Sequence, residues 1–508
     1  MRLAPTVAAA LLGLLPELTL ATGTGSSPEA SADQCCAALS KSKVGDKVVR
    51  PSSAAYKKSV HSYWSVNVQL EPTCIVQPES ADDVSAAVKT LTTAGGDSPC
   101  KFAVRSGGHM TWAGSNNIET GVTVDLSNMN STVYDKEAGI ASILPGARWQ
   151  AVYKTLEKYN VVVPGGRTGP VGVGGFLLGG GNSFHAARVG LACDSVENYE
   201  VVLASGRIVN ANNATNRDLF KALKGGANNF GIVTKYDLKT IDNAHMWGGL
   251  TVSAPNSTEQ VIQSAVKFTD NIEKDPYASW IGLWTYNATV DQLTVGSLMQ
   301  YTKPVPRPAA YNDFYKIPNV SSTNGPQTLL QATTEIQQAG GKRNAFLTGT
   351  YLNSDDVLRK ALEIQKRKIE DAKTVAKGKD YVLLVIIQPW PKLFWQLNQG
   401  NGIGNVLGLE RFDENMIQVL YDYTWEEEDD DGVFQRLAEE SLNELDDYAR
   451  DAGKYNEYVY LNYADGSQNP LSGYGDESVE YMREVAQRYD PDGVFQTQVP
   501  GGFKVSEA

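Results

Sequence analysis

Apolar and polar positions in the first half of the chain follow the two-residue and 3.6-residue periods of short strands and helices. Short apolar runs typical of buried strands lie at residues 74–76, 102–104, 122–126, 140–144, 161–163, 196–203, 207–209 and 232–238. Ser80 and Asp83 precede apolar residues at helical spacing, which predicts a capped helix between the first two strands. Two further helices are predicted over 149–159 and 218–223.

The pattern changes after about residue 242. Longer alternating segments predict strands of an antiparallel sheet at 247–252, 280–285, 293–300, 381–387 and 416–423. Helical periodicity predicts helices over 258–272, 357–372 and 433–449. A chain of 508 residues exceeds one ordinary core. We therefore expect an α+β protein with a first domain over 45–242, a second over 243–450, and a return to the first over 455–508.

Composition and charge narrow the class of partner. Apolar residues make up 42% of the chain and charged residues 20%, which is typical of a folded globular protein. The net charge of -13 disfavours both nucleic acid and an anionic membrane surface as partners. Residues 1–21 combine Arg2, an apolar stretch and a small residue at Ala21, which predicts a signal peptide and a secreted protein. Sequons that fit surface glycosylation begin at Asn130, Asn213, Asn256, Asn287 and Asn319.

The five cysteines all precede residue 200. In an exporting compartment, two disulfides among Cys35, Cys36, Cys74 and Cys100 are expected, with Cys193 as a buried free thiol. Their connectivity does not follow from spacing. Because no Cys-x-x-Cys pair occurs and the histidines are scattered, no metal site is expected.

Two glycine-rich segments carry the chemistry of the first domain. The first is Arg-Ser-Gly-Gly-His at 105–109, and the second runs from 164 to 175 and continues to the glycines at 179–181. Gly172 and Gly174 begin a G-x-G-x-x-G pattern, but Leu177 occupies its third position, which disfavours a nicotinamide dehydrogenase. Backbone without side chains can approach a diphosphate closely. A tight turn between packed elements is the alternative for the glycines, and a structural role the alternative for His109.

Several motifs occur together and in a fixed order. They are Arg-Ser-Gly-Gly-His at 105–109, Pro-Val-Gly-Val-Gly-Gly at 170–175, Gly-Leu-Ala-Cys-Asp-Ser-Val at 190–196, Asn-Phe-Gly-Ile-Val-Thr at 229–234, Tyr-Leu-Asn-Tyr-Ala-Asp at 460–465 and Tyr-Asp-Pro-Asp-Gly-Val-Phe at 489–495. Over roughly residues 45–508 the chain resembles the berberine-bridge-enzyme-like branch of the vanillyl-alcohol-oxidase superfamily. That resemblance implies a two-part PCMH-type FAD-binding domain and a substrate domain whose antiparallel sheet is backed by helices.

The resemblance also implies roles for the cofactor-binding residues. His109 would bond covalently to the 8α-methyl carbon of the flavin. The diphosphate would lie on the backbone of Arg105, Ser106, Gly107, Gly108, Gly169, Gly172, Gly174 and Gly175. The nucleotide would be lined by Asn229, Gly231, Ile232 and Val233. Many members of the branch carry a second, cysteinyl link, at the position where this chain has Thr168. Because no cysteine lies between Cys100 and Cys193, a monocovalent flavin is expected. Val171 falls at the oxygen-gatekeeper position, where valine favours access of dioxygen.

On the substrate side the resemblance places Tyr460, Asn462 and Tyr463 near the reactive face of the flavin. Gln388 and the strand at 416–423 are expected to project toward the substrate from the second domain. Tyr460 is the preferred base for a substrate hydroxyl, although a phenol needs a lowered pKa for that task. Core packing is the alternative role for these aromatic residues.

The expected function is that of a secreted FAD-dependent oxidase. It would remove a hydride from a small organic substrate and pass the electrons to dioxygen, with release of hydrogen peroxide. The substrate stays open between an alcohol or sugar and a secondary metabolite that is oxidised to close a ring. A flavin-bearing binding protein or surface antigen with little turnover is the alternative from another class.

Overall fold

A computed structural model describes residues 28–94, 98–397 and 402–508, so the signal peptide expected at 1–21 lies outside the described residues. The first described helix, Pro28–Lys41, carries two adjacent cysteines. Disulfides join Cys35 to Cys100 and Cys36 to Cys74, and Cys193 is a buried free thiol. The expected two bridges and one free thiol are therefore confirmed, and the helix is fastened to the first sheet.

The first sheet has four strands and ends at the histidine loop. Its strands lie in the order Val48–Val49, Cys74–Val76, Val122–Asp125 and Phe102–Arg105. The predicted helix forms over Ala81–Thr93, and the Ser80 hydroxyl accepts the backbone N–H of Asp83 as its cap. Phe102–Arg105 runs parallel to Val122–Asp125. Residues 106–109 therefore leave the sheet at the carboxyl end of a parallel strand, where ligands of such sheets commonly bind.

Residues before 243, which we call the first part of the chain, also form a second sheet of five antiparallel strands. In spatial order they are Thr132–Asp135, Ile140–Ile143, Ile232–Lys239, Val196–Val202 and Ile208–Asn212. A two-stranded pair, Val161–Val162 with Ile241–Asp242, lies beside it. The other α-helices before residue 243 are Ala54–Val60, Trp149–Leu156, Val173–Leu178, Ala186–Val189 and Arg217–Leu223. The sequence predicted a plain loop over 164–175, whereas its end, from Val173, begins a short helix.

The large sheet has nine described strands, all between residues 245 and 456. Along its main path the order is Ser321–Ser322, His245–Ser253, Gln292–Tyr301, Ala278–Asn287, Tyr381–Trp390, Met416–Trp425, Arg343–Leu352 and Tyr455–Asn456, with Gly325–Thr328 paired to His245–Ser253. Every pairing in it is antiparallel. Helices Thr258–Asn271, Asp355–Val375 and Asp431–Asp451 pack on one face. The predicted α+β class and helix-backed antiparallel sheet are confirmed.

The sequence reading missed the strand Arg343–Leu352. It pairs with Met416–Trp425 along its whole length. Its polar residues Asn344, Thr348 and Thr350 recur at even positions after Gly340 and Gly341, and this period of two could have predicted the strand. The omission matters because Phe346 and Thr350 lie on this strand.

The last segment of the chain packs on the first part through helices Asp476–Tyr489 and Val494–Thr497. The Asn229 side chain donates to the carbonyls of Gly226 and Phe503, both at 2.9 Å, and accepts the N–H of Val505 at 3.2 Å. The Phe102 N–H donates to the Gln498 carbonyl at 2.8 Å. The division into domains at 242 and 450 remains our interpretation. Across the described residues, we find no helix with the length and apolar character that crossing a bilayer requires.

The face of the large sheet opposite the helices is polar near its centre. Gln388 lies opposite Gln418, and Gln418 lies opposite Thr350. Both amides and the Thr350 hydroxyl are buried and lack a hydrogen-bond partner among the described residues. Asp422, four residues from Gln418, shares this face because side chains alternate along a strand. We call these four residues the polar face.

Asp422 is the one carboxyl group of the polar face. One carboxyl oxygen accepts the side-chain N–H of Gln338 at 2.7 Å, and the other has no partner within the described residues. Burial raises the pKa of Asp422 from 3.8 to about 7, although the Gln338 amide and the nearby Thr424 hydroxyl oppose this rise. The group is therefore protonated in mildly acidic solution and can donate a hydrogen bond to a ligand.

This raised pKa leads us to expect a pH-dependent stability. Between pH 3.8 and about 7 the folded state holds a proton that the unfolded state has released, so stability is lost as the pH rises through 7. Replacement of Asp422 by Asn removes that loss. The free energy of unfolding of the wild type should therefore fall by about 4 kcal/mol relative to that of Asp422→Asn between pH 4 and pH 8. Thermal unfolding of both proteins at several pH values measures it. Parallel pH curves would contradict this assignment, and the exposed Asp429→Asn is the control.

Candidate active site

The two glycine-rich segments meet at Gly107 and Gly172. A β carbon built on Gly107 would lie 2.4 Å from the Cα of Gly172, and one on Gly172 would lie 2.5 Å from the Cα of Gly107. The Ser106 hydroxyl donates to the Pro145 carbonyl at 2.5 Å and accepts the N–H of Gly174 at 3.1 Å. Any side chain at Gly107 or Gly172 would separate the loops. The sequence motifs thus form one bare-backbone surface.

Backbone bonds hold the second loop against the start of helix Trp149–Leu156. The N–H of Trp149 donates to the carbonyl of Val171 at 3.1 Å, and that of Gln150 donates to the carbonyl of Gly169 at 3.0 Å. The N–H of Val173 returns to the Ala147 carbonyl at 3.0 Å. These bonds fix the loop, while Gly175 stays exposed, and a β carbon there would meet nothing within 4 Å.

His109 lies at the end of the first loop, against Trp64. The two rings are stacked, with centroids 4.5 Å apart and planes 12° apart. The backbone N–H of Trp64 donates to the Gly108 carbonyl at 3.1 Å. Burial, and then the positive charge of Arg148, lower the pKa of His109 to about 3. The imidazole is therefore neutral at physiological pH, as a nitrogen nucleophile must be.

Arg105 acts inside the protein through its side chain. Its guanidinium donates to the Ser59 carbonyl and to the Ser62 hydroxyl, each at 2.7 Å, and lies 3.9 Å from a carboxylate oxygen of Asp125. It also lies over the Tyr63 ring at 3.7 Å. Both terminal nitrogens of the guanidinium are thus used within the protein, so the Arg105 side chain supports the loop from inside the fold.

The predicted nucleotide-lining residues lie where the last segment crosses the first part. The Asn229 side chain is fully used by the bonds to residues 226, 496, 503 and 505, so it shapes this wall rather than offering a free group. A β carbon on Gly231 would lie 2.8 Å from the Val202 carbonyl oxygen. Ile232 and Val233 are buried at the start of their strand. The half-buried Thr168 belongs to the second loop, next to Gly169.

Of the three residues predicted near the reactive face, Asn462 and Tyr463 are half-buried and Tyr460 is buried. The Tyr463 hydroxyl is held by one arginine, since it accepts a hydrogen bond from the Arg167 guanidinium at 2.8 Å. The Tyr460 hydroxyl accepts the backbone N–H of Asn182 at 2.7 Å, and burial raises the pKa of Tyr460 above its usual value. Asn462 donates to the Phe176 carbonyl at 2.9 Å and so fastens this segment to helix Val173–Leu178.

Aromatic contacts connect the histidine loop to the polar face. The Phe346 ring lies 5.8 Å from Trp64 and 6.1 Å from Tyr463, measured between centroids. Phe346 also lies opposite Asp422 in the sheet. A cavity beside the polar face is lined by residues that include Arg167, Asn182, Ser279, Trp280 and Gln388. The structure therefore brings Gln388 and Tyr463 toward one site, with the glycine loops on its other side.

Several residues of this site were not predicted from the sequence. Trp64 and Arg148 lie outside any motif, and Arg167 lies within the second glycine-rich segment without a predicted role, so their contacts become apparent only from the fold. Gln418 and Asp422 lie on the strand Met416–Trp425, which was expected to face the substrate, although the individual residues were not singled out.

Comparison with known proteins identifies the cofactor of the glycine loops. The family FAD_binding_4, described as an FAD binding domain, matches residues 72–212. The chain is 49% identical to the FAD-dependent monooxygenase sdcF of Emericella nidulans, over 93% of this chain and 98% of that protein. It is 42% identical to the FAD-dependent monooxygenase drtC of Aspergillus calidoustus, over 93% of this chain and 90% of that protein.

Solved structures share the fold at lower sequence identity. BBE-like 1 of Physcomitrella patens superposes with a TM-score of 0.71 at 18% identity, over 92% of this chain and 98% of that chain. The glucooligosaccharide oxidase of Acremonium strictum, described with a 6-S-cysteinyl, 8α-N1-histidyl FAD, gives 0.70 at 19% identity, over 92% and 98%. The chain therefore belongs to the family of FAD-linked oxidoreductases that includes sdcF and drtC, and its fold is that of the berberine-bridge-enzyme-like structures.

Proposed function

We propose that the protein is an oxidase whose FAD is attached through His109 alone. The observation that carries this proposal is the neutral, stacked imidazole at the end of the bare-backbone loop. Gly107 and Gly172 let the two loops touch, and beside them the exposed Gly175, where a β carbon would meet nothing within 4 Å, leaves bare backbone for a diphosphate. A histidyl link is named for the glucooligosaccharide oxidase that shares this fold.

A single link follows from the residues near the second loop. The same neighbour also carries a cysteinyl link, whereas this chain has Thr168 in the second loop. The free Cys193 is buried, and burial raises the pKa of its thiol well above the usual value. A neutral thiol of this kind is a poor nucleophile, so Cys193 does not substitute for the missing link.

Bound FAD would accept a hydride from the substrate carbon and pass the electrons to dioxygen, with release of hydrogen peroxide. The protein has to remove the proton of the substrate hydroxyl. Tyr463 suits this task better than Tyr460, the base preferred from the sequence, because the Arg167 guanidinium bonds more strongly to an oxygen that gains negative charge. The Tyr460 hydroxyl instead accepts the Asn182 N–H in a buried position.

The polar face defines the kind of substrate that this site would take. The unpartnered amides of Gln388 and Gln418 offer both donors and acceptors, and the Thr350 hydroxyl lies beside them. Such groups bind hydroxyl and carbonyl oxygens of a neutral molecule. We infer an alcohol, a sugar or a hydroxylated secondary metabolite, the last of which could be oxidised to close a ring.

Export of the protein is part of the proposal. Two disulfides are typical of proteins from oxidising compartments. Four of the five sequon asparagines are exposed, namely Asn130, Asn213, Asn256 and Asn319, whereas Asn287 is half-buried. A covalent link would keep the flavin on the enzyme in a dilute extracellular medium.

Monooxygenation is the second candidate, because the relatives sdcF and drtC are both named FAD-dependent monooxygenases. A flavin monooxygenase needs a reductant for the second oxygen atom, and nicotinamide cofactors are its usual source. Leu177 breaks the dinucleotide fingerprint of the second loop, which favours the oxidase.

The first expected outcome concerns the link to His109. The His109→Ala protein should release its flavin on acid precipitation, so that the washed pellet is colourless while the wild-type pellet stays yellow and fluorescent. His61→Ala removes an exposed histidine outside the loop and should leave the pellet yellow. A fluorescent pellet from His109→Ala would place the link elsewhere.

The second expected outcome separates the two tyrosines. With an alcohol that the wild type oxidises, Tyr463→Phe should slow anaerobic flavin reduction by roughly 10²- to 10⁴-fold, the usual effect of losing a general base. Tyr460→Phe should slow it far less. Stopped-flow absorbance at the flavin band measures both rates, and the reverse order would restore Tyr460 as the base.

The third expected outcome decides between oxidation and monooxygenation. Turnover under ¹⁸O₂ should give an unlabelled product, one equivalent of peroxide per product and no need for NADPH. Mass spectrometry of the product and a peroxidase-coupled assay provide the two measurements. One ¹⁸O atom in the product together with NADPH consumption would establish the monooxygenase instead.

A further inference from the structure

The guanidinium groups of Arg105 and Arg148 lie on either side of the contact between the glycine loops, and only one of them has a carboxylate within salt-bridge distance among the described residues. Arg105 has Asp125 at 3.9 Å. Arg148 has no carboxylate within salt-bridge distance among the described residues, and its Nη1 donates only to the Pro170 carbonyl, at 2.5 Å. Asp125 is already bonded to Ser59 and Gln77. The site therefore carries an excess positive charge.

Arg148 occupies a central position in this site. A β carbon built on Gly107 would lie 3.7 Å from its Nη1, and its backbone forms a β-bridge with Gly172. It is also close enough to His109 to affect the imidazole electrostatically. The guanidinium thus lies beside both bare-backbone segments and is half-buried there.

An unpaired cation in such a place is costly for the protein alone. Partial burial removes water from the guanidinium, and the neighbouring Arg105 repels it. Both effects lower the pKa of Arg148 from its usual value, and the negative charge of Asp125 offsets them only in part. An anion held by the two loops would offset this cost, and a guanidinium binds phosphate oxygens with two parallel hydrogen bonds.

We propose that Arg148 is the cation that pairs with the diphosphate of FAD and holds it on the two glycine loops. The inference rests on FAD as the cofactor and is independent of the link to His109. Arg148, which directly precedes helix Trp149–Leu156, would supply the positive charge that the backbone amides of the glycine motifs lack. The alternative is a purely structural role, in which Arg148 serves only to hold the Pro170 carbonyl.

The test uses noncovalent flavin in the His109→Ala protein. Its FAD is removed by dialysis against potassium bromide, and the apoprotein is titrated with FAD and with riboflavin, which lacks phosphate. Quenching of tryptophan fluorescence reports binding. Adding Arg148→Gln to the His109→Ala protein should lower its affinity for FAD by about 10- to 100-fold, the usual effect of losing a charge-assisted hydrogen-bonded pair. Riboflavin affinity should change less than about twofold, and the FAD dissociation constant should become less salt-dependent.

Two further variants keep the outcome decisive. Arg148→Lys retains the charge and should recover part of the FAD affinity, and Arg436→Gln removes an exposed arginine and should change neither ligand. Equal losses for FAD and riboflavin, or unchanged FAD binding, would overturn the proposal. If His109→Ala still carries attached flavin, the attachment through His109 fails. In that case, the flavin-to-protein ratio of Arg148→Gln decides, and a ratio equal to wild type overturns the role of Arg148.

Discussion

The close approach of Gly107 and Gly172 is the constraint on which the site depends. With a β carbon at either position falling within about 2.5 Å of the other backbone, the two loops can touch only as glycines. That contact places the Ser106 hydroxyl between the Pro145 carbonyl and the Gly174 N–H. It also places Arg148 beside both loops. Because Gly107 and Gly172 have no side chains, the His109 imidazole, the Arg148 guanidinium and the backbone amides of both loops lie close together.

The polar face completes the site from the other side of the molecule. Its sheet is apolar where the helices pack and carries Gln388, Gln418, Thr350 and Asp422 on the opposite face. Buried polar groups without partners destabilise a fold by about 1–3 kcal/mol each, and a ligand that bonds to them recovers that loss. The protein therefore gives up stability in the region where it would recognise a substrate, as functional sites commonly do.

Local sequence was enough for the fold class and for the glycine loops. The strands at 74–76 and 381–387 and the helix after Ser80 have periodic apolar patterns, and the loops have motifs with specific backbone demands. The strand Arg343–Leu352 was missed although its alternation was visible. Trp64, Arg148 and Arg167 could not have been identified, because each acts through a neighbour more than 15 residues away in the sequence. The choice between Tyr460 and Tyr463 as the base likewise depends on contacts with Asn182 and Arg167 that no local pattern predicts.

The bonds of Asn229 have a consequence for biosynthesis. This residue belongs to the wall that was expected to line the nucleotide, yet its side chain is held by Gln496, Phe503 and Val505. A ribosome must therefore translate more than 260 further codons before that wall can close. We therefore expect the protein to bind FAD only after the C-terminal segment has been synthesised and has folded back onto this wall.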